Sequence, residues 1–353
     1  MTTVAVTGAS GLVGGRLLRA LAADPSITRL VGVDVREPER RVRGLEFHRA
    51  DIARSELKPL FEGVDVLVHL ASVVDPIPDE ALMARVNIDG TRRVLDAASA
   101  VGVTKVVRVS SAAVYGAWEN NPVPLDETVA LRPNVGFSPA IQAAEVERLL
   151  AEWRGDHPSV VVTTLRTAPV LGPGAERLPS RLIVGRPPLR VRGATPPVQV
   201  AHVDDLVRAL ELVVHDDHPG TFNVACSGWL EYDEVQHLVP RGGVPAVPAQ
   251  VLERALARSW SSGLGEIPPG VVPYLIHPWV ISTEKLEALG WRAEHTNEAA
   301  IREAVADLPP ATPTPRTRAL LVLGVFAAGA VVWWVLRRAS RRGATRSTRP
   351  TRR

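Results

Sequence analysis

Between Thr3 and Asp34 the sequence commits the chain to one supersecondary unit. Val4-Ala5-Val6 is an apolar strand, and Thr7-Gly8-Ala9-Ser10-Gly11-Leu12-Val13-Gly14 follows as a glycine-bearing turn. A helical stretch and a second strand, Leu30-Val31-Gly32-Val33, then lead to Asp34. Side chains are excluded at Gly8, Gly11 and Gly14 if the strand is to turn sharply, approach a pyrophosphate closely and receive a tightly packed helix. The helix that starts near Gly11 aims its free N–H groups and positive dipole end at the phosphates. Asp34, about twenty residues beyond the glycines, is placed to hydrogen-bond a ribose diol and to repel a 2′-phosphate. The unit therefore predicts a bound dinucleotide, NAD in preference to NADP; Arg36, two residues on, is the one nearby group that favours a phosphate.

Beyond this unit, short apolar runs alternate with helical patterns: strands at 64–70, 106–110 and 160–165, helices at 82–100 and 142–153. Such alternation predicts an α/β fold with a Rossmann-type, doubly wound parallel sheet and right-handed crossovers. The Pro- and Arg-rich stretch 173–197 interrupts it and reads as loops of a second, smaller lobe, built mainly from 173–200 and 228–305 within a domain spanning 1–308. With 353 residues, 46% of them apolar, there is ample material for one such core. The single cysteine, Cys226, excludes an internal disulfide and points to a reducing compartment. Only Lys58, Lys105 and Lys285 are lysine.

Several ordered segments resemble the extended short-chain dehydrogenase/reductase family, which contains NAD-dependent sugar epimerases and dehydratases. Besides the glycine turn, Asp51-Ile52 is similar to the family's acidic pair beside adenine, and His69-Leu70-Ala71 to its turn over the pyrophosphate. Asn87-Ile88-Asp89-Gly90-Thr91 resembles its N-x-x-G-T helix. Ser110-Ser111-Ala112-Ala113-Val114-Tyr115-Gly116 resembles its strand end with two serines and a tyrosine. The match continues with 165–173, with His202-Val203-Asp204-Asp205 and with Leu289-Gly290-Trp291. The resemblance implies a cofactor site formed by Gly8, Ser10, Gly11, Leu12, Val13, Gly14, Asp34, Asp51, Ile52, Leu70, Ala71, Ser72, Asn87, Ser110, Ser111 and Thr167. It also implies a small-molecule ligand in the second lobe and allows a homodimer.

One element departs from the family. Its chemistry rests on Tyr-x-x-x-Lys, a phenol whose pKa, normally about 10, is lowered by an amine on the same helix face. Counting back from Ala143-Ala144-Glu145 puts Phe137 at the tyrosine and Ile141 at the lysine. Tyr115, Tyr232 and Tyr274 are followed four residues later by Glu119, Gln236 and Pro278, so the pair occurs nowhere in the chain. Two functions are compatible with this. One is a non-catalytic NAD-binding sensor or scaffold. The other is an oxidoreductase or epimerase acting on a nucleotide sugar or similar hydroxy compound, with Ser111 or Tyr115 as the candidate hydroxyl and a water relay to solvent.

Other polar residues have plainer explanations. Ser111 closes a strand and is equally suited to cap the following turn. Asn87 fits a structural hydrogen-bonder, and His202 and Asp204 look structural. His215, Asp216, Asp217 and His218 precede Pro219-Gly220 and read as a solvated turn, so no metal is expected.

The carboxyl end is distinct. After the proline-rich linker 309–318, residues 319–336 contain no charge and end near Trp333-Trp334; roughly twenty residues span a bilayer core, and tryptophan favours its interface. A membrane anchor, single-pass or tail-anchored, is expected. With no signal peptide ahead of the first strand, the globular domain is placed in the cytoplasm. The last seventeen residues carry eight arginines, which also prefer the cytoplasmic side, so the side of the tail stays open. Lacking interleaved aromatics, that run is a weak nucleic-acid signal.

Overall fold

The computed structural model of the chain describes residues 2–175, 178–184, 189–239 and 246–308. Strand β1 (Thr2–Thr7) stops at the glycine turn, and α1 (Leu12–Ala22) turns Leu17, Leu18 and Leu21 inward. β2 (Ile27–Asp34), β3 (Leu45–Arg49) and β4 (Val66–His69) follow. Helix α2 (Glu80–Ala84), capped by the Asp79 carboxylate accepting from the Leu82 N–H, passes through a single π turn at Arg85–Asp89 into α3 (Gly90–Val101). The helix expected at 82–100 is thus continuous but locally widened, and the widened turn carries Asn87; such insertions recur at functional sites. β5 (Lys105–Ser111), α4 (Ser138–Asp156) and β6 (Val161–Thr167) complete the central crossover.

From there the chain alternates between the sheet and a smaller lobe. β7 (Val170–Leu171) and β8 (Ala201–His202) form a two-stranded ribbon flanking α5 (Leu178–Val184) in sequence. α6 (Val203–His215) and β9 (Gly220–Val224) return to the main sheet. α7 (Tyr232–Leu238), α8 (Ala249–Ser261), α9 (Glu284–Glu287) and α10 (Asn297–Asp307) follow. The stretch 173–197 is therefore not all loop: Leu178, Leu182 and Val184 give α5 an apolar face that the surrounding prolines hide in a sequence pattern.

The main sheet has seven strands in the order β3-β2-β1-β4-β5-β6-β9, every pair parallel. Both faces are covered, one by a core containing Leu17, Leu18, Leu206 and Leu210, the other by one containing Leu95, Ala98, Val146 and Leu150. Strand order reverses between β1 and β4, and ligands of open α/β sheets bind outside the strand ends at such a switch point. The body extends to Asp307 as one compact unit. The linker 309–318, the apolar segment 319–336 and the tail 337–353 lie outside the described residues, and no helix among the described residues is long and apolar enough to cross a membrane.

Candidate functional site

At the switch point the backbone of Gly8 meets the end of β4. Gly8 has φ +74° and donates its N–H to the Val33 carbonyl at 2.9 Å. A Cβ at Gly8 would stand 2.7 Å from the Ala71 nitrogen, and one at Gly14 would collide with the Gly8 carbonyl. Two of the three glycines are thus dictated by close backbone approach. The start of α1 has no side-chain cap, so its first N–H groups are left for an external acceptor. Asp34 closes β2 with its carboxylate held between two backbone donors, Ser10 N–H and Arg36 N–H, each at 3.0 Å. The Ser10 hydroxyl donates to the Arg36 carbonyl. This cradle fits the pyrophosphate and diol of a dinucleotide.

Across the crevice, a hydrogen-bonded chain fixes the 69–73 turn. The Ala71 N–H donates to Thr7 Oγ1 at 3.3 Å, and Thr7 Oγ1 lies 2.7 Å from His69 Nδ1. On the other side His69 Nε2 lies 2.9 Å from Thr91 Oγ1, which itself donates to the Asn87 carbonyl at 2.6 Å. Because the Thr91 proton is spent on that carbonyl, His69 carries its own proton on Nε2 and accepts from Thr7. Asn87 is 6% exposed. Its amide bonds Val73 N–H, Val73 carbonyl and Gln142 Oε1, at 2.7, 3.1 and 3.0 Å. It pins the turn to α4.

Burial first, and then the Arg108 charge, hold His69 well below its ordinary value of 6.5. The unfolded chain then binds a proton below about pH 6.5 that the folded chain refuses, so stability is full above that value and falls as pH drops. The expected loss is up to about 1.4 kcal/mol per pH unit. Urea midpoints for the native chain and His69→Gln should converge as pH falls from about 7 to about 5; parallel curves would reject the neutral buried imidazole.

Other residues expected at the cofactor fall into place unevenly. Asp51 is half-buried and accepts from Ala53 N–H at 2.9 Å. Ile52 is 4% exposed and its side chain packs against Gly90, where a Cβ would meet it at 2.9 Å. Leu12, Val13, Leu70, Ala71 and Ser72 are part-buried along the crevice walls, and Thr167 is buried with its hydroxyl 3.4 Å from the Ser110 carbonyl.

β5 ends at the candidate hydroxyls. Ser111, half-buried, caps the short turn Ala112–Tyr115 by accepting from the Ala113 N–H at 3.2 Å. Among the described residues no acceptor takes the Ser111 proton. Ser110 donates to Glu147 at 2.5 Å. Tyr115 is 1% exposed. Its hydroxyl donates to Asn223 Oδ1 at 2.9 Å and accepts from Arg166 at 2.7 Å. Burial, only partly opposed by Arg166, pushes its pKa up. The two hydroxyls thus differ: Ser111 is accessible at the strand end, while Tyr115 is locked into a structural network.

Helix α4 delivers hydrocarbon to this place. Phe137 sits at its N-terminus, 4% exposed, packed with Ala113, Ala117 and Ala140. Ile141 is 41% exposed, so it and Phe137 do not share an inward stripe. The inward face runs through Ala140, Ala143 and Ala144, which contact the Ala113 and Ala112–Tyr115 clusters, to Glu147. From 137 to 146 the helix offers no phenol and no amine in any register. The lysines are elsewhere: Lys105 pairs with Asp217 at 2.8 Å, Lys285 donates to the Thr221 carbonyl, and Lys58 is exposed in the turn Lys58–Phe61. A phenol does arrive from a distant element. Tyr274 lies 5.1 Å, ring to ring, from Phe137 and donates to the Ala113 carbonyl at 2.8 Å. Burial pushes its pKa up. No periodicity in the sequence links Tyr274 to Phe137, and sequence reasoning missed it.

The remaining polar clusters are structural. His215 pairs with Asp24 at 2.9 Å while Asp217 serves Lys105. His202, His295 and Glu303 converge closely enough to consider a cation. However, His202 Nδ1 accepts from the Asp204 N–H at 3.2 Å, which leaves the proton on Nε2, directed at Glu303 at 3.1 Å. A metal would have to displace that proton while Nδ1 is already engaged. Burial pushes the Cys226 thiol up to about 12, so it is inert.

Comparisons with known proteins agree with this geometry. An uncharacterized protein of Mycobacterium tuberculosis is 30% identical over 251 residues, 69% of this chain and 67% of that protein. The dTDP-glucose 4,6-dehydratase of Streptomyces griseus is 33% identical over 236 residues, 60% of this chain and 70% of the enzyme. Among solved structures, Thermus thermophilus UDP-glucose 4-epimerase in complex with NAD superposes with a TM-score of 0.67 at 23% identity, covering 88% of this chain and 100% of that one. MoeE5 in complex with UDP-glucuronic acid and NAD gives 0.67 at 24% identity, over 86% and 98%. Residues 4–225 match the NAD dependent epimerase/dehydratase family, and the chain belongs to that family.

Proposed function

We propose that the protein is an NAD-dependent oxidoreductase or epimerase of a hydroxy compound working from an atypical site. The observation that carries this is the intact cradle, in which Gly8 presses on Ala71 and Asp34 is oriented by two backbone donors, next to a Ser111 hydroxyl whose proton no described residue accepts. Gly8, Gly11, Gly14 and the start of α1 would hold the pyrophosphate, and Asp34 the adenosine ribose, favouring NAD over NADP. The dinucleotide, when bound, supplies a hydride acceptor. Ser111 Oγ would orient the substrate hydroxyl and relay its proton: as Oγ accepts that proton it passes its own to a water, and the net proton goes to solvent. Family resemblance to nucleotide-sugar enzymes supports the reaction class.

A second function is favoured by one observation: the inward face of α4 is alanine and no lysine reaches the site. General acid–base help is typically worth about 10²–10⁴ in rate, so a protein keeping only the cradle would bind NAD as a sensor or scaffold. Purified protein incubated with NAD and a panel of nucleotide sugars, sterols and other hydroxy compounds separates the two. Turnover above about 1 s⁻¹, lowered at least about 100-fold by Ser111→Ala, is the expected result for the enzyme. Saturable NAD binding without turnover across the panel assigns the sensor.

A further inference from the structure

We infer that Arg16 and Asp307 are positioning residues of the dinucleotide site: they fasten the turn 172–175 at the mouth of the crevice, and a dinucleotide enters and leaves only when this clasp opens. The inference rests on the proposed function for the dinucleotide alone. The turn itself is stiff and wedged. Gly172 and Gly174 have φ +125° and +82°, values that favour glycine, and the ring of Pro173 between them fixes its own φ. The Ala175 N–H closes the turn on the Gly172 carbonyl at 3.1 Å. A Cβ at Gly172 would stand 2.8 Å from Val203 Cγ1, at the start of α6, and one at Gly174 would stand 3.2 Å from Leu12 Cδ1. Leu12 is the first residue of α1, and side chains on a helix lean toward its N-terminus. The turn therefore packs against the end of α1 whose uncapped N–H groups are left for the pyrophosphate.

Two side chains hold the turn there. Arg16, one helical turn into α1, donates to the Pro173 carbonyl at 2.9 Å and pairs with Asp204 at 3.0 Å, while its Nε is buried without a hydrogen-bond partner among the described residues. Asp307 accepts from the Gly174 N–H at 2.7 Å. It ends α10, where the helix dipole disfavours a carboxylate; the bond to Gly174 offsets that cost. On the opposite wall the Leu178 N–H donates to Asp75 Oδ1 at 2.6 Å, two residues past the turn 69–73. The chain leaving β7 is thus tied to α1 at Pro173 and to the far wall at Leu178. Loss of Arg16 or Asp307 loosens the α1 side without altering Gly8, Gly14 or Asp34. Both bonds lie within the protein, so they close the clasp with or without a ligand. Weakening them raises the open fraction in both states, and entry and exit accelerate together while affinity stays nearly constant. Damage to the cradle would instead speed exit alone and lower the affinity.

The test is stopped-flow fluorescence of the purified full chain with NADH, association followed over a concentration series and dissociation by a chase with excess NAD. In Asp307→Ala both rate constants are expected to rise at least about fivefold, the equivalent of roughly 1 kcal/mol, with Kd held within about twofold. Arg16→Met keeps the apolar stem, loses both bonds and carries the same expectation should D307A fail to fold. Asp307→Asn keeps a carbonyl acceptor for Gly174 and should stay within about twofold of the native rates. Arg302→Ala breaks only an exposed pair with Glu298 on the same helix and should leave both rates native. Amide hydrogen exchange over 172–175, measured without dinucleotide, should quicken at least about fivefold in Asp307→Ala. Unchanged rates, unchanged exchange, or faster dissociation alone with a weakened Kd would overturn the inference. A native chain that does not bind NADH would overturn it together with the proposed function. Coupled rates as expected, but no turnover across the substrate panel, would defeat the enzyme and leave the clasp standing.

Discussion

Replacing Glu147 by glutamine is expected to destabilise the protein by about 3–5 kcal/mol, the usual cost of leaving one member of a buried ion pair alone. Glu147 and Arg166 have side chains only 7% and 8% exposed. They meet as a fork, Arg166 Nε to both carboxylate oxygens at 3.2 and 2.9 Å and a terminal nitrogen to Oε2 at 2.7 Å. Burial pulls the guanidinium down, and the Glu147 carboxylate more than reverses it, leaving Arg166 above its ordinary value. The same carboxylate receives Ser110, and the same guanidinium supports the Tyr115 hydroxyl. Glutamine keeps the shape but offers an amide N–H where a donor already points. Arg166→Lys should fail likewise, because an ammonium cannot reproduce the fork. Glu145→Gln is the control: it stands two residues away, pairs with Arg148 in solvent, and should cost less than about 1 kcal/mol. Urea unfolding of the three variants measures the contrast. A Glu147→Gln cost no larger than that of Glu145→Gln would show that the network does not hold β5, α4 and β6 together.

How much of this was legible beforehand follows from the range of each interaction. The Gly8–Gly14 turn, Asp34 and the strands were readable because a parallel, doubly covered sheet leaves continuous apolar runs and the turn's glycines answer to local backbone crowding. The inward face of α4 was not. Counting by resemblance named Phe137 and Ile141, yet Glu147 rather than Glu145 faces the sheet, and one and two turns before it stand Ala143 and Ala140. A mixed apolar helix carries too weak a periodicity to fix its own rotation; the buried partner, Arg166, does so from another strand. Tyr115 reads from the sequence as a candidate hydroxyl because a strand-end phenol looks available until Arg166 and Asn223 claim it. The Tyr274 bond to the Ala113 carbonyl joins residues far apart in the chain, and no spacing announces it. The tautomer of His69 becomes determinate only once Thr7 and Thr91 are seen on either side.

Gly14→Ala is expected to abolish dinucleotide binding, with affinity falling at least about 100-fold, equivalent to roughly 2.8 kcal/mol. The new methyl would strike the Gly8 carbonyl and crowd Ala9 Cα at 3.2 Å. These are backbone atoms of the turn itself, so no side chain can swing away. α1 must lift from the turn, and its N–H groups leave the position where a pyrophosphate is received. Overpacking of this kind usually costs about 1–3 kcal/mol of stability, which separates lost binding from lost folding if the protein is held well below its urea midpoint. Gly15→Ala supplies the comparison within the same helix, since its methyl would meet nothing nearer than 3.7 Å. There alanine should leave binding intact and raise stability by roughly 0.5–1 kcal/mol, as expected when glycine is replaced inside a helix. Fluorescence titration with NADH reads both variants. Undiminished affinity in Gly14→Ala would mean that the dinucleotide does not lie over this turn, and the assignment of Asp34 to the ribose would fall with it.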